Sequence, residues 1–321
     1  MVSRRLRLAT IAVALVGTMA STARAEDYPV LSPADVIKPA DPAAAKGLRM
    51  GYTSMDLANP YFVEVARGMQ DRAKELGVEL TVHDGKADAA SQISATENFI
   101  AQKMDAIILA PIAPDAMVPI VDEAKKAGIR VINSPQRIPN ADAWYSVAEF
   151  EYGKSIGDIA GKYITEKLGG NAKVAVLTFP EVPSLIARGD GIKAGLKEFA
   201  PNAVIVAEQS ALSPDKGAAA AENILQANPD ARVFVGVNDA GILGAYEAIK
   251  ASGMPQEEFA LFGLDATADA VKLIKEGGMY KATVDITPYK VGQNTIDLAI
   301  GVIKSGPIDG LIKFDMSPVT Q

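Results

Sequence analysis

The sequence predicts an α/β protein built as two doubly wound parallel-sheet lobes. Three observations carry that expectation. Short β-branched runs alternate with helical patterns, the alternation runs through two successive series, and no low-complexity tract separates them. A chain of 321 residues also has the length of about two ordinary domains.

In the first series, strands are expected near 47–54, 78–84, 106–111 and 130–135, with helices near 60–76, 88–103 and 114–127. The first helix spaces Phe62, Val65, Ala66, Met69, Ala73 and Leu76 by threes and fours, which makes one apolar stripe. Gly77 supplies its stop. Met117, Ile120, Val121 and Ala124 repeat the device before Gly128. The second series has strands near 144–149, 173–180, 203–210, 232–239, 259–266 and 281–286. Its helices fall near 150–168, 185–199, 215–227, 240–252, 267–276 and 288–305. Residues 26–46, with Pro29, Pro33, Pro39 and Pro42, read as an extended leader without an element of its own. Sheets of this kind bind ligands beyond the carboxyl ends of their strands, so two facing lobes place a cleft between those ends.

The first 25 residues read as an export signal. Arg4, Arg5 and Arg7 precede an apolar stretch at 8–16, and Ala23-Arg24-Ala25 forms a small-residue cleavage site. That stretch is too short to span a bilayer. Cleavage after Ala25 removes four arginines and no acids, taking the net charge from −7 to −11. The expected destination is the periplasm, with Ser3-Arg4-Arg5 leaving general and twin-arginine export both open.

Composition narrows the chemistry. The chain has no cysteine, which excludes a disulfide framework, thiolate metal sites and cysteine nucleophiles. Its one histidine, His83, leaves no cluster of imidazoles and reads as a structural residue. An acidic balance without a basic run argues against nucleic acid or an anionic membrane. The glycine-rich phosphate signatures, H-E-x-x-H and G-x-S-x-G are all absent. No catalytic residue, metal or cofactor is expected, and the chain does not read as an enzyme.

The residues following each strand are the candidates for ligand binding. In Asn59-Pro60-Tyr61-Phe62, an N-cap and a proline at the first helical position explain Asn59 and Pro60. Capping does not explain two aromatics at the cleft end of a helix, where they can pack on the C–H face of a sugar or polyol. Asn238-Asp239 and Asp265 stand at corresponding strand ends of the second series. Each can cap a helix, and a carboxylate there can also accept hydrogen bonds from neighbouring hydroxyls. Asp265 is the foremost anchor. Trp144, the single tryptophan, is expected to pack at the lobe junction.

Together these positions resemble the periplasmic ribose/galactose-type sugar-binding proteins of ABC transporters, over nearly all of residues 47–321. The likeness rests on Asn59-Pro60-Tyr61-Phe62, Asp115-Ala116, Arg130-Val131-Ile132 and Phe150-Glu151-Tyr152-Gly153. Arg188-Gly189-Asp190-Gly191, Asn238-Asp239, Gly263-Leu264-Asp265 and Ala282-Thr283-Val284 complete it. The resemblance implies the type I periplasmic binding protein fold, with lobes at 47–149 plus 287–315 and at 150–286 plus 316–321, joined by three crossings. It implies hinge closure on ligand and docking of the closed form on an ABC permease, with a chemoreceptor as a second conceivable partner. A monomer is the expected state. Asn59, Tyr61 and Phe62 would line one wall, and Asn238 and Asp265 the other.

This chain departs from the family pattern at three places. Ser134-Pro135-Gln136-Arg137 stands where an Asp-Arg pair is usual, so Gln136 is the expected site residue, and Arg137 fits only through a one-residue shift. The second binding arginine falls on Ile186, and Arg188 reads as a nearby structural arginine. The hinge glutamine falls on Ile286, beside Asp285, which is taken as a further candidate. Fewer guanidinium donors disfavour ribose and point to a ligand with fewer hydroxyls or another shape, such as a small polyol or deoxy-sugar. Two other readings stay open: an amine held by the aromatics with Asp265, Asp285 and Glu149, and an exported carbohydrate hydrolase using paired carboxylates such as Asp265 and Asp285.

Overall fold

The computed structural model describes residues 28–321. The export signal and cleavage point expected at 1–25 lie outside the described residues. Among the described residues the strands form two sheets. The first holds β1 (Val30–Leu31), β2 (Arg49–Ser54), β3 (Glu79–Asp84), β4 (Ala106–Leu109), β5 (Arg130–Asn133), β6 (Ala143–Ser146) and, from the far end of the chain, β12 (Leu311–Lys313). Their spatial order is β1-β12-β6-β5-β4-β2-β3, parallel throughout. The second sheet holds β7 (Lys173–Thr178), β8 (Val204–Ser210), β9 (Val233–Gly236), β10 (Ala260–Phe262), β11 (Tyr280–Asp285) and β13 (Ser317–Thr320), ordered β13-β11-β10-β9-β7-β8. Only β13, on β11, runs antiparallel. The central strands are buried on both faces, as helices cover both sides of each sheet.

Every strand expected from the sequence forms, but two expectations need correction and two further strands were not foreseen. The leader is not element-free: β1 pairs with β12 at the sheet edge, and short helices follow at Pro33–Val36 and Pro42–Ala45. Each helix starts on one of the prolines that had suggested extended chain, because proline suits a first helical turn. The run near 144–149, read as opening the second series, is β6 of the first sheet, seated between β5 and β12. Strands β12 and β13 escaped the sequence reading because they are short, three and four residues, and made by long-range pairing. The chain passes between sheets after β6, after β11 and between β12 and β13.

Helix pairs pack closely where glycine permits it. A Cβ on Gly153 would overlap the carbonyl oxygen of Arg188, and one on Gly191 would overlap that of Phe150. Helices Glu149–Lys167 and Pro183–Phe199 are thereby pressed backbone to backbone.

A buried polar side chain ties the strand ends together in each lobe. In the first, Gln92 Nε2 donates to the carbonyls of Ser54 and Ala110, both at 2.8 Å, while its oxygen accepts the Ile112 N–H at 3.0 Å. In the second, Asp239 accepts from the Tyr280 hydroxyl at 2.7 Å, the Thr283 hydroxyl at 2.8 Å and the Thr267 N–H at 2.8 Å. Burial raises the Asp239 carboxyl from 3.8 to about 6, against the pull of these donors. Asp239→Asn is expected to cost about 2–4 kcal/mol at pH 7, measured by urea unfolding, because at least one donor loses its acceptor. The folded state binds the extra proton between its own pKa and the lower unfolded one. Acidification from pH 7 to 5 should therefore stabilise the native protein relative to the Asn variant, widening the gap between them.

Candidate functional site

The carboxyl ends of the two sheets face each other across a narrow cavity, with about 420 Å³ of space between its lining atoms, part of it open to solvent. Met55, Asn59, Tyr61, Phe62, Pro135 and Gln136 wall it from the first lobe, and Leu185, Arg188, Leu212, Asn238 and Asp265 from the second. Val147, Ile286 and Phe314, each on a crossing, close it from the hinge side. Six of the seven residues singled out from the sequence therefore line one space.

Each arrives there by a local device. Asn59 caps helix Pro60–Leu76, its Oδ1 accepting the Tyr61 N–H at 3.0 Å. The cap fixes where the helix starts, and so sets Tyr61 and Phe62 in the first turn at the cavity wall. Their rings meet edge to face with centroids 5.0 Å apart. Gln136 is buried on the loop after β5. Neither Gln136 Oε1 nor the Tyr61 hydroxyl has a hydrogen-bond partner among the described residues. Asn238 is already engaged on both arms: Oδ1 caps helix Asp239–Ala251 through the Gly241 N–H, and Nδ2 donates to the Leu212 carbonyl. Its role is therefore largely that of a scaffold for the wall.

Asp265 sits on a strained turn, with φ of +108° followed by Ala266 at +50°. The turn places the carboxylate in the cavity, where the Tyr152 hydroxyl donates to Oδ1 at 3.1 Å. Burial pushes this carboxyl well above the ordinary range; Arg188 pulls it down, while Asp239 pushes the same way as burial.

Asp285 does not join the group. Its carboxylate accepts the Thr287 N–H, and it faces a separate groove with Tyr289 and Lys290. At a strand end followed by a tight turn, a short acid satisfies the local backbone first. Arg137 also lies away from the cavity, its guanidinium 5.4 Å from the Tyr28 ring and 5.6 Å from that of Trp144. Of the two neighbours, Gln136 is the one at the site. Trp144 packs at this edge, donating Nε1–H to the Pro135 carbonyl at 2.7 Å, and His83 pairs with Ser91 at 3.0 Å.

Arg188, read from the sequence as a structural arginine, is bonded as one and also reaches the cavity wall. It lines the cavity, buried, with Nε donating to Glu149 at 2.7 Å and Nη1 to the Val237 carbonyl at 2.8 Å. Ile186, which holds the family arginine's place, is 47 % exposed. The signal was present in Arg188-Gly189-Asp190-Gly191, since Gly191 lets the neighbouring helix approach beside the arginine. Among the described residues no group of three or more acidic or imidazole side chains could hold a metal ion.

A family model described as a periplasmic binding protein domain matches residues 50–307. The chain belongs to the periplasmic binding protein family. This binding protein is 29 % identical over 294 residues to the ribose import binding protein RbsB of Bacillus subtilis, covering 91 % of this chain and 93 % of that one. It is 30 % identical over 263 residues to a putative rhizopine-binding protein of Rhizobium meliloti, covering 79 % and 84 %. Its fold superposes on a Caulobacter myo-inositol binding protein, solved with myo-inositol bound, at a TM-score of 0.75 and 28 % identity, covering 85 % of this chain and 93 % of that one.

Two substitutions separate scaffold from surface in this binding protein. Arg188→Met should cost about 3–5 kcal/mol in chemical unfolding, because it strands a buried Glu149. Asp285→Asn should leave ligand affinity within about twofold in calorimetry, since its carboxylate stays with its own turn; a larger loss would place Asp285 in the site after all.

Proposed function

We propose that this protein captures a sugar or small polyol in the cavity between its lobes and delivers it to an ABC permease. The observation that carries the reading is the convergence of incompletely bonded, buried polar groups from both lobes on one aromatic-walled space. Asp265 can accept from adjacent ligand hydroxyls, and Nη2 of Arg188, left over from its bonds to Glu149 and Val237, can donate to one. Gln136 Oε1 and the Tyr61 hydroxyl offer two further partners from the opposite wall. Tyr61, Phe62 and Phe314 supply faces for ligand C–H groups.

A ligand touching both walls favours the closed arrangement over the open one, because only closure completes both sets of contacts. The family consists of binding components of transporters, and the protein is a receptor rather than an enzyme. Relatives named for ribose, allose and myo-inositol support the ligand class. The reading includes export with cleavage after Ala25, action as a monomer in the periplasm, and a chemoreceptor as a further partner of the closed form. The missing first-wall arginine at Gln136 argues against ribose itself.

A thermal-shift screen against sugars, deoxy-sugars and polyols tests the reading, since ligand at one hundred times its dissociation constant stabilises by about 2.7 kcal/mol. Asp265→Ala should weaken the best hit at least about tenfold in calorimetry, and Gln136→Ala less. Product formed from a bound ligand would instead establish an enzyme.

A further inference from the structure

We propose that the leader at residues 28–31 belongs to the binding machinery: through Trp144 it braces the loop that presents Gln136, and so positions that side chain from behind the cavity wall. The proposal rests on the receptor reading above and extends it to residues outside the cavity lining.

The loop after β5 is held from its far side. Trp144 Nε1 donates to the Pro135 carbonyl at 2.7 Å, and Asn133 Nδ2 donates to the Gln136 carbonyl. Both bonds end on the backbone at or beside Gln136. They fix where its side chain starts and leave Oε1, without a protein partner among the described residues, at the cavity. Arg137, the next residue, turns the other way and lies against the rings of Tyr28 and Trp144, outside the cavity lining. Anchoring Arg137 there decides which of the two neighbours faces the ligand, because a slip of one residue would exchange them.

The seat of Trp144 is built by residues distant in sequence. Asn133, Trp144, Leu311 and Val30 are register partners in one row, running from β5 through β6 and β12 to β1. The Tyr28 ring meets the Trp144 ring edge to face, with centroids 4.9 Å apart. Gly310 lets the leader come this close: its φ is +111°, and a Cβ there would lie 2.5 Å from the Pro29 carbonyl oxygen. The Leu311 N–H donates to that same carbonyl at 2.8 Å. Trp144 is half-buried, with Tyr28 and Arg137 against its ring. A ring without these neighbours can change rotamer and carry Nε1 away from the Pro135 carbonyl. The leader and β12 both lie outside residues 50–307, so the brace is built by segments flanking the span that the family model matches.

Calorimetry on the mature chain, residues 26–321, tests the proposal with a panel of aldoses, deoxy-sugars, polyols and cyclitols that includes D-allose and myo-inositol. For the tightest binder, Tyr28→Ala should lower affinity about three- to tenfold, the worth of one hydrogen bond made from a misplaced Gln136. In a Gln136→Ala background the same substitution should cost under about twofold, because the side chain it positions is gone. A merely structural role gives no such dependence on Gln136. Trp144→Phe, which keeps a ring and loses the N–H, should behave in the same way and serves if Tyr28→Ala fails to fold. Wild-type affinity in both variants, or equal losses with and without Gln136, would overturn the brace and leave the receptor reading standing. No binding anywhere in the panel would defeat the receptor reading, and this proposal with it.

Discussion

The ion pair between Glu149 and Arg188 organises the second wall of the cavity, and much of the site follows from it. Both partners are buried, so each charge needs the other. Glu149 opens the helix that also carries Tyr152, the donor to Asp265, while Arg188 reaches on to the Val237 carbonyl, one residue before Asn238. One contact between two helices therefore fixes the strand ends that carry Asn238 and Asp265. The glycines that let those helices touch are part of the same device, because a wider spacing would leave Arg188 short of Glu149.

Satisfying buried polar groups is a second shared constraint. Parallel strands end abruptly at their carboxyl ends, and the following loops must still bond their backbone groups. Gln92 does this in one lobe and Asp239 in the other, each bridging segments distant in sequence. Their difference has chemical consequences: an amide ties three backbone groups at no electrostatic cost, whereas a carboxylate adds a buried negative charge next to Asp265. The strained backbone at Asp265 and Ala266 is supported by this framework, with the Ala266 N–H bonded to the Thr283 hydroxyl.

Much of the fold was legible because central strands and amphipathic helices write their burial into local periodicity. The short strands β1 and β12 were not, since they exist through long-range pairing, of residues 30–31 with 311–312 and of β12 with β6, rather than through any pattern of their own. The cavity was legible as a set of strand ends, which is why Asn59, Tyr61, Phe62, Gln136, Asn238 and Asp265 meet. What periodicity cannot give is side-chain direction. Asp285 and Asp265 look alike in sequence, yet one turns back to its own backbone while the other projects into the cavity on a left-handed turn. Arg188 was read as structural, and its ion pair agrees, but its place in the cavity wall was not legible because the partner that positions it lies 39 residues away.

In the proposed receptor, the way the site is divided between lobes would also couple recognition to closure. Asn59 and Asn238 are both helix caps, so each wall is held by bonds within its own lobe. Neither wall is complete, however: the first contributes oxygens with no protein partner, and the second a carboxylate with one neutral donor. Bringing the walls together removes water from these groups, and an unsatisfied buried polar atom costs about 1–3 kcal/mol. A ligand that bonds only one wall leaves that cost in place on the other. A ligand whose donors reach both walls removes it, so the groups that choose the ligand also decide whether the cleft stays shut.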